Sequence, residues 1–300
     1  MTSSNRNAPS EFKETKLIVR YGFDLARQLE IEKVFVLAEL VTDRRLVDKH
    51  REKESIVWVT DKPEAIEEDK SHGDCCVSIP RSLAGRMDQV SLALIIAVMN
   101  GMVAEDETVV CLLGVAGSKR LDNLLLANPK RDFEWFSDHH VSKNRELPVS
   151  QEFVRLIDIA LKFASEGREG KPIGTVFLLG DIKDMSTVSR ALILNPCKGH
   201  LKKDRSIHDS EFVETMREFA ALDGGFLINK NGTVERAGVY LDAPVTKKVK
   251  VQKGLGSRHV AAAAATAKIN AVAIVISESS GAVTVFFDGS KVLSLNRSAE

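Results

Sequence analysis

Gly254-Leu255-Gly256-Ser257-Arg258-His259-Val260-Ala261 leads into an alanine-rich run that ends at Lys268, and its reading decides the fold of the second half of the chain. The spacing predicts a helix from about Arg258 to Lys268. A glycine turn that delivers Ser, Arg and His into a helix start offers backbone N–H groups, a hydroxyl and a fixed cation at the positive end of the helix dipole. Together these make an anion site. Taken alone, the stretch also reads as a plain loop whose glycines turn the chain and whose Arg258 is solvated. Asp223-Gly224-Gly225 lies upstream, just beyond an amphipathic helix carrying Phe212, Val213, Met216 and Phe219. Its glycines admit backbone angles that other residues resist.

Between these two stretches, Phe226-Leu227-Ile228 and Val234 to Leu241 flank Asn231-Gly232, a two-residue hairpin signal. After the helix come the apolar strand Ala271 to Ile276 and a turn over Glu278 to Gly281. A second hairpin joins Val283–Phe287 to Val292-Leu293 through Asp288-Gly289. Earlier in the chain, Ser150 is placed to cap an amphipathic helix with Phe153, Leu156, Ile157, Ala160 and Leu161 on one face. Thr175 to Leu179 reads as a strand, and a loop follows to Lys203. The second half is therefore a mixed sheet flanked by helices. The polar turn at Glu146 to Ser150, with Pro148, marks a boundary. It separates an N-terminal domain over residues 1–148, whose first twelve residues are expected to be disordered, from a C-terminal domain over 149–300.

In the first half, Val34–Leu37, Ile56–Val59, Cys75–Ile79 and Val109–Leu113 are short continuous apolar runs. Helical stretches at Lys16–Leu29, Leu46–Lys53 and Arg86–Met102 separate them, the pattern of an open, mostly parallel α/β domain. Gly114-Val115-Ala116-Gly117-Ser118-Lys119 follows a strand as a phosphate loop does. The Walker spacing is too short here, however, and Ser118 stands between Gly117 and Lys119. A structural strand-to-helix turn into Leu121–Leu126 is expected instead. His139-His140 are chain neighbours, and adjacent side chains rarely converge on one metal, so they read as surface.

Composition bounds the partners. The 42 Lys and Arg balance 42 Asp and Glu, so no global field recruits nucleic acid or an anionic membrane. Any polyanion has to be held by local charges and a metal. The four cysteines have no metal-type spacing, and a reduced cytoplasmic protein is expected. The longest apolar run, Val90 to Ala104, carries Asn100 and falls short of the ~20 residues a spanning helix needs, so neither signal peptide nor membrane anchor is expected.

Asp223-Gly224-Gly225 and Ser257-Arg258-His259 resemble the Asp-Gly-Ala and Arg-His-Arg motifs of diadenylate cyclases of the DAC, or DisA N-terminal, type, which condense two ATP into cyclic di-AMP. Asn195-Pro196 before Gly199-His200, the helix end Glu218–Leu222, Gly238-Val239-Tyr240-Leu241 and Ser277-Glu278 match in the same order, so the resemblance spans about the second half of the chain. It implies an archaeal-type arrangement in which a pyruvate-kinase-like α/β domain precedes a mixed-sheet α/β cyclase domain. It further implies ATP binding through Gly224, Gly225, Tyr240, Leu241, Gly256, Ser257, Arg258, His259 and Ser277. Catalysis falls to Asp223, Arg258 and His259, and Mg²⁺ or Mn²⁺ to Asp223 and Glu278.

The chemistry agrees with those residue types. Joining a 3′ hydroxyl to an α-phosphate needs a base or metal at the hydroxyl and cations or N–H groups where charge builds. Asp223 suits the first task and Arg258, through its forked donors, the second. His259 either touches phosphate or braces the turn. Two departures stand out: Gly225 replaces a usual Ala, a mild change, and Val260 replaces a usual Arg, which removes one phosphate contact. A non-catalytic nucleotide sensor and a different ATP-dependent nucleotidyltransferase are the rival readings. Because one chain carries one motif set and the cyclic product needs two ATP, a face-to-face homodimer or higher oligomer is expected.

Overall fold

The computed structural model describes residues 12–66, 74–83, 85–138, 145, 147–169, 171–222, 224–246, 249 and 255–296. Asp223, Gly254, His139-His140 and all but the last residue of the expected N-terminal tail lie outside the described residues. The chain divides into two compact units, Met1–Glu134 and Trp135–Glu300.

The first unit runs α1 (Lys13–Gln28), β1 (Lys33–Leu37), α2 (Arg45–His50), β2 (Ser55–Thr60), β3 (Cys75–Ser78), α3 (Arg86–Met99), β4 (Val109–Leu113), β5 (Asn123–Ala127) and α4 (Pro129–Asp132). Its strands order as β3-β2-β1-β4-β5, parallel throughout except for β5. Helices cover both faces, which is why β1, β2 and β4 are buried along nearly their whole length and read as continuous apolar runs. On α1, Thr15, Val19, Gly22, Phe23 and Ala26 fall on one side and are buried. Gly22 lets the helix approach β4, since a Cβ there would lie 2.4 Å from a Leu112 methyl. Burial pushes the Cys111 thiol on β4 up to about 12, so it is an inert core residue at neutral pH.

One expectation fails here. Leu121–Leu126 does not begin a helix, because β5 returns antiparallel along β4 with Asn123 opposite Leu113 and Ala127 opposite Val109. Pairing with the open edge of β4 overrides the helical propensity of the leucines. The preceding glycine loop thus opens no helix. Gly114 is demanded by packing, since a Cβ would sit 2.2 Å from the Arg120 carbonyl oxygen and 2.7 Å from a Leu40 methyl.

The division between the units falls inside α5 (Glu134–Asp138). The second unit continues with α6 (Gln151–Glu166), β6 (Thr175–Gly180), α7 (Ile182–Ser186), β7 (Ser189–Ala191), α8 (Ser210–Ala220), β8 (Gly225–Asn229), β9 (Val234–Leu241), α9 (Ser257–Lys268), β10 (Val272–Ile276), β11 (Val283–Phe287) and β12 (Ser290–Leu295). Strand order is β12-β11-β10-β6-β8-β9-β7, mixed, with β6 and β8 parallel and the other neighbours antiparallel. The expected loop to Lys203 thus holds α7 and β7, elements too short to show a period.

The central strand β6 alternates between two cores. Val176 and Leu178 pack with Ala262, Ala263 and Ala265 of α9, whose small side chains lay the helix close on the sheet. Phe177 points the other way, edge-to-face with Phe163 of α6 at 6.0 Å and Phe226 at 5.5 Å. Ser150 caps α6 and Asp209 caps α8, each accepting from the N–H three residues on. Asp288 and Gly289 both take positive φ, as the tight β11–β12 turn requires. The β8–β9 turn differs from the two-residue expectation. Gly232 N–H donates to Asn229 and Asn229 N–H to Thr233, closing a three-residue loop with Gly232 at φ 79°.

Arg145 belongs physically to this second unit. Its guanidinium donates to the carbonyls of Thr266, Ala267, Lys268 and Ile269, capping the C-terminus of α9, and pairs with Asp288 at 2.9 Å. Leu147 is buried as well. A fragment of residues 135–300 should therefore melt close to the parent unit, while one starting at 149 loses the cap. Arg145→Ala in the full chain should cost about 1–2 kcal/mol, and urea unfolding of the full-length variant checks it; an unchanged midpoint would remove the cap from the stability of α9.

Candidate active site

The glycine turn meets the helix as the sequence suggests. Gly256 is the N-cap of α9, no side chain caps it, and the first turn carries no acidic residue. Ser257 and Arg258 are thus presented at the positive end of the helix dipole. They line a cleft of about 530 Å³ together with Val176, Leu192, Gly224, Val239, Tyr240, Leu241, Ala261 and Glu278. Residues from β6, the turn before β8, β9, α9 and the end of β10 converge there, spread over about a hundred positions of the chain.

Gly224 holds its place through its backbone. It has φ +117°, a Cβ would press on the Val239 carbonyl oxygen at 3.0 Å, and its own carbonyl accepts from the buried Thr175 hydroxyl at 3.0 Å. Gly225 lies against β6, where a Cβ would be 2.4 Å from a Val176 methyl and 2.5 Å from the Val176 carbonyl oxygen. Its glycine is therefore fitted to this strand spacing. Gly225→Ala should destabilise by about 1–3 kcal/mol through overpacking, measurable by urea unfolding; unchanged stability would mean that β6 and β8 separate freely.

Tyr240 is partly exposed and lies opposite Arg190 in the β7–β9 register, with the guanidinium 4.7 Å from its ring centroid. Sequence reading missed Arg190 and Leu192, since only the pairing of a three-residue strand brings them to Tyr240. Asn195 also gains a role: its amide donates to the Glu235 carbonyl at 2.9 Å and accepts from Cys197 N–H at 3.1 Å, tying the loop to β9.

Arg258 pairs with Glu278 at 3.3 Å across the cleft mouth, with side chains 31% and 63% exposed. Ser277 stands beside the cleft without lining it; its backbone and hydroxyl close the turn to Ala282, with Gly281 N–H donating to its carbonyl at 2.8 Å. His259 turns inward. Its ring is buried edge-to-face with Phe286 at 6.0 Å, Nδ1 lies near Gly256, and burial together with the neighbouring Arg258 charge lowers its pKa. Its ring thus lies beneath the turn rather than in the cleft.

Among the described residues no group of three His, Cys, Asp or Glu side chains converges as a metal cage. What the cleft offers is the Glu278 carboxylate and the Ser257 hydroxyl. Such an oxygen set suits a hard divalent cation that keeps some of its waters and shares one or two carboxylates with phosphate oxygens. No helix among the described residues is long and apolar enough to cross a membrane.

Family models match parts of both units. A family model described as "DisA bacterial checkpoint controller nucleotide-binding" matches residues 162–291, and one described as "Probable sensor domain DacZ_P" matches residues 14–128. The chain is similar to a diadenylate cyclase of Methanocaldococcus jannaschii, 28% identical over 295 residues, covering 91% of this chain and 94% of the relative. It is also similar to a diadenylate cyclase of Haloferax volcanii, 28% identical over 243 residues, covering 80% and 87%. Among solved structures, DacA from Staphylococcus aureus aligns at 20% identity and a TM-score of 0.34, over 49% of this chain and 87% of that one.

Proposed function

The chain belongs to the diadenylate cyclase family, and from that premise we propose that its second unit binds one ATP in the cleft at the N-terminus of α9 and joins it to a second ATP on a facing protomer. The observation that carries this reading is the convergence of Gly224, Tyr240, Leu241, Ser257, Arg258 and Glu278 on one cleft. Tyr240 and Leu241 take the adenine, Tyr240 being held from one side by Arg190. Ser257, Arg258 and the first N–H groups of α9 take the phosphates.

Magnitudes support the phosphate assignment. An ion pair as exposed as Arg258–Glu278 contributes about 1 kcal/mol or less, whereas charge-assisted hydrogen bonds to phosphate contribute about 1.5–3 kcal/mol each. A triphosphate thus draws the guanidinium from Glu278. Glu278 is then free to hold, with Asp223, the Mg²⁺ or Mn²⁺ that neutralises phosphate charge when bound. Asp223 handles the 3′ hydroxyl, directly as base or through the metal. The 3′ oxygen bonds to the α-phosphorus of the other ATP as the bond from that phosphorus to the β-phosphate oxygen breaks, and pyrophosphate leaves. Arg258 with the α9 N–H groups meets the charge that builds at the α-phosphate. Two such transfers give one cyclic di-AMP and two pyrophosphates. His259 acts by supporting the turn.

Incubating the protein with ATP and Mg²⁺ or Mn²⁺ and identifying the products by mass tests this. Cyclic di-AMP is expected, and unchanged ATP in the presence of measurable binding would favour a sensor instead.

A further inference from the structure

We propose that Gly174 is a positioning residue for Arg258, its missing side chain forming the slot in which the guanidinium rests beside Glu278. Gly174 ends the loop that enters β6 and is buried. It is not among the glycines with positive φ, so its backbone would accept other residues. Space is what forbids them. A Cβ at 174 would lie 2.8 Å from Arg258 Nη1, 2.7 Å from Glu278 Cβ and 3.2 Å from Glu278 Oε2.

The neighbours cannot all yield. Five register pairs hold β6 against β10, from Val272 opposite Leu179 to Ile276 opposite Thr175. Beyond Ile276 the backbone is closed by Ser277 N–H donating to the Ala282 carbonyl at 2.9 Å. Glu278 Cβ is therefore rooted in a fixed turn, while the Arg258 tip is the movable partner and is displaced first. A forked donor depends on its placement, so a displaced guanidinium loses its phosphate geometry although its charge remains.

This inference rests on the reading of Arg258 as a phosphate ligand, and the experiment separates the two. Affinities of the full chain for 3′-deoxy-ATP with Mg²⁺ and for 3′-deoxyadenosine are measured by calorimetry, probes that bind without turnover. Gly174→Ala should weaken 3′-deoxy-ATP by about ten- to hundredfold, the range of one charge-assisted hydrogen bond, and leave 3′-deoxyadenosine unchanged. In an Arg258→Ala background the same change should add nothing. Should Gly174→Ala fold poorly, Gly174→Ala/Glu278→Gly, which removes the tightest contact, is read against Glu278→Gly alone. Equal weakening of both probes would mark Gly174 as merely structural and overturn the proposal. Weakening of 3′-deoxy-ATP by Arg258→Ala but not by Gly174→Ala would overturn it while sparing the phosphate reading. No effect of Arg258→Ala itself would overturn both.

Discussion

Asp223→Asn is expected to lower cyclic di-AMP synthesis by about two to four orders of magnitude, the range for a lost general base, while ATP binding persists. Asparagine keeps the size of the side chain and loses the charge that accepts the 3′ proton or holds the metal. The residue that follows Asp223 in the chain is tightly constrained. Gly224 lines the cleft at φ +117°, and its carbonyl is fixed by the buried Thr175 hydroxyl. Product formation by mass and binding of 3′-deoxy-ATP are the two measurements; near-normal turnover in the variant would remove Asp223 from the mechanism.

Replacing ATP by 3′-deoxy-ATP alone should give no dinucleotide at all, because that analogue accepts attack and cannot mount one. Mixed with ATP, it should yield a linear dinucleotide still bearing a 5′-triphosphate, the trace of one attack completed and the second blocked. The argument is stoichiometric. One cleft with a single Arg258 and a single Glu278 serves one α-phosphate, yet ring closure needs two hydroxyls each aimed at the other nucleotide. Two protomers about a two-fold axis meet that need with one set of residues apiece. Abundant cyclic product from protein that stays monomeric during turnover would sink the face-to-face arrangement.

Much of this was legible in residues close together in the chain. The alanine run after Gly256 encodes α9, the apolar stretches Thr175–Leu179 and Ala271–Ile276 encode β6 and β10, and Asp288-Gly289 encodes its turn, because each signal is a local period or a local backbone requirement. Of the residues singled out by motif order, Gly224, Tyr240, Leu241, Ser257, Arg258 and Glu278 line one cleft. Where local signals compete with pairing, they mislead. The leucines at 124–126 favour a helix and form β5, since the unpaired edge of β4 contributes hydrogen bonds that no window of sequence contains. Short β7, which brings Arg190 over Tyr240, gave no period to read.

Local sequence was enough for the longer helices, for the continuous apolar strands and for the chemical groups at the start of α9, since those follow from neighbours a few residues apart. Only the tertiary structure decided which groups meet. It turned His259 into the core against Phe286, left Ser277 closing a turn, and set Glu278 against Arg258. It also assigned Gly174 and Gly225 their meaning. A glycine required for space is defined by atoms of distant residues that would otherwise collide with it, and those atoms become neighbours only when the sheet has formed.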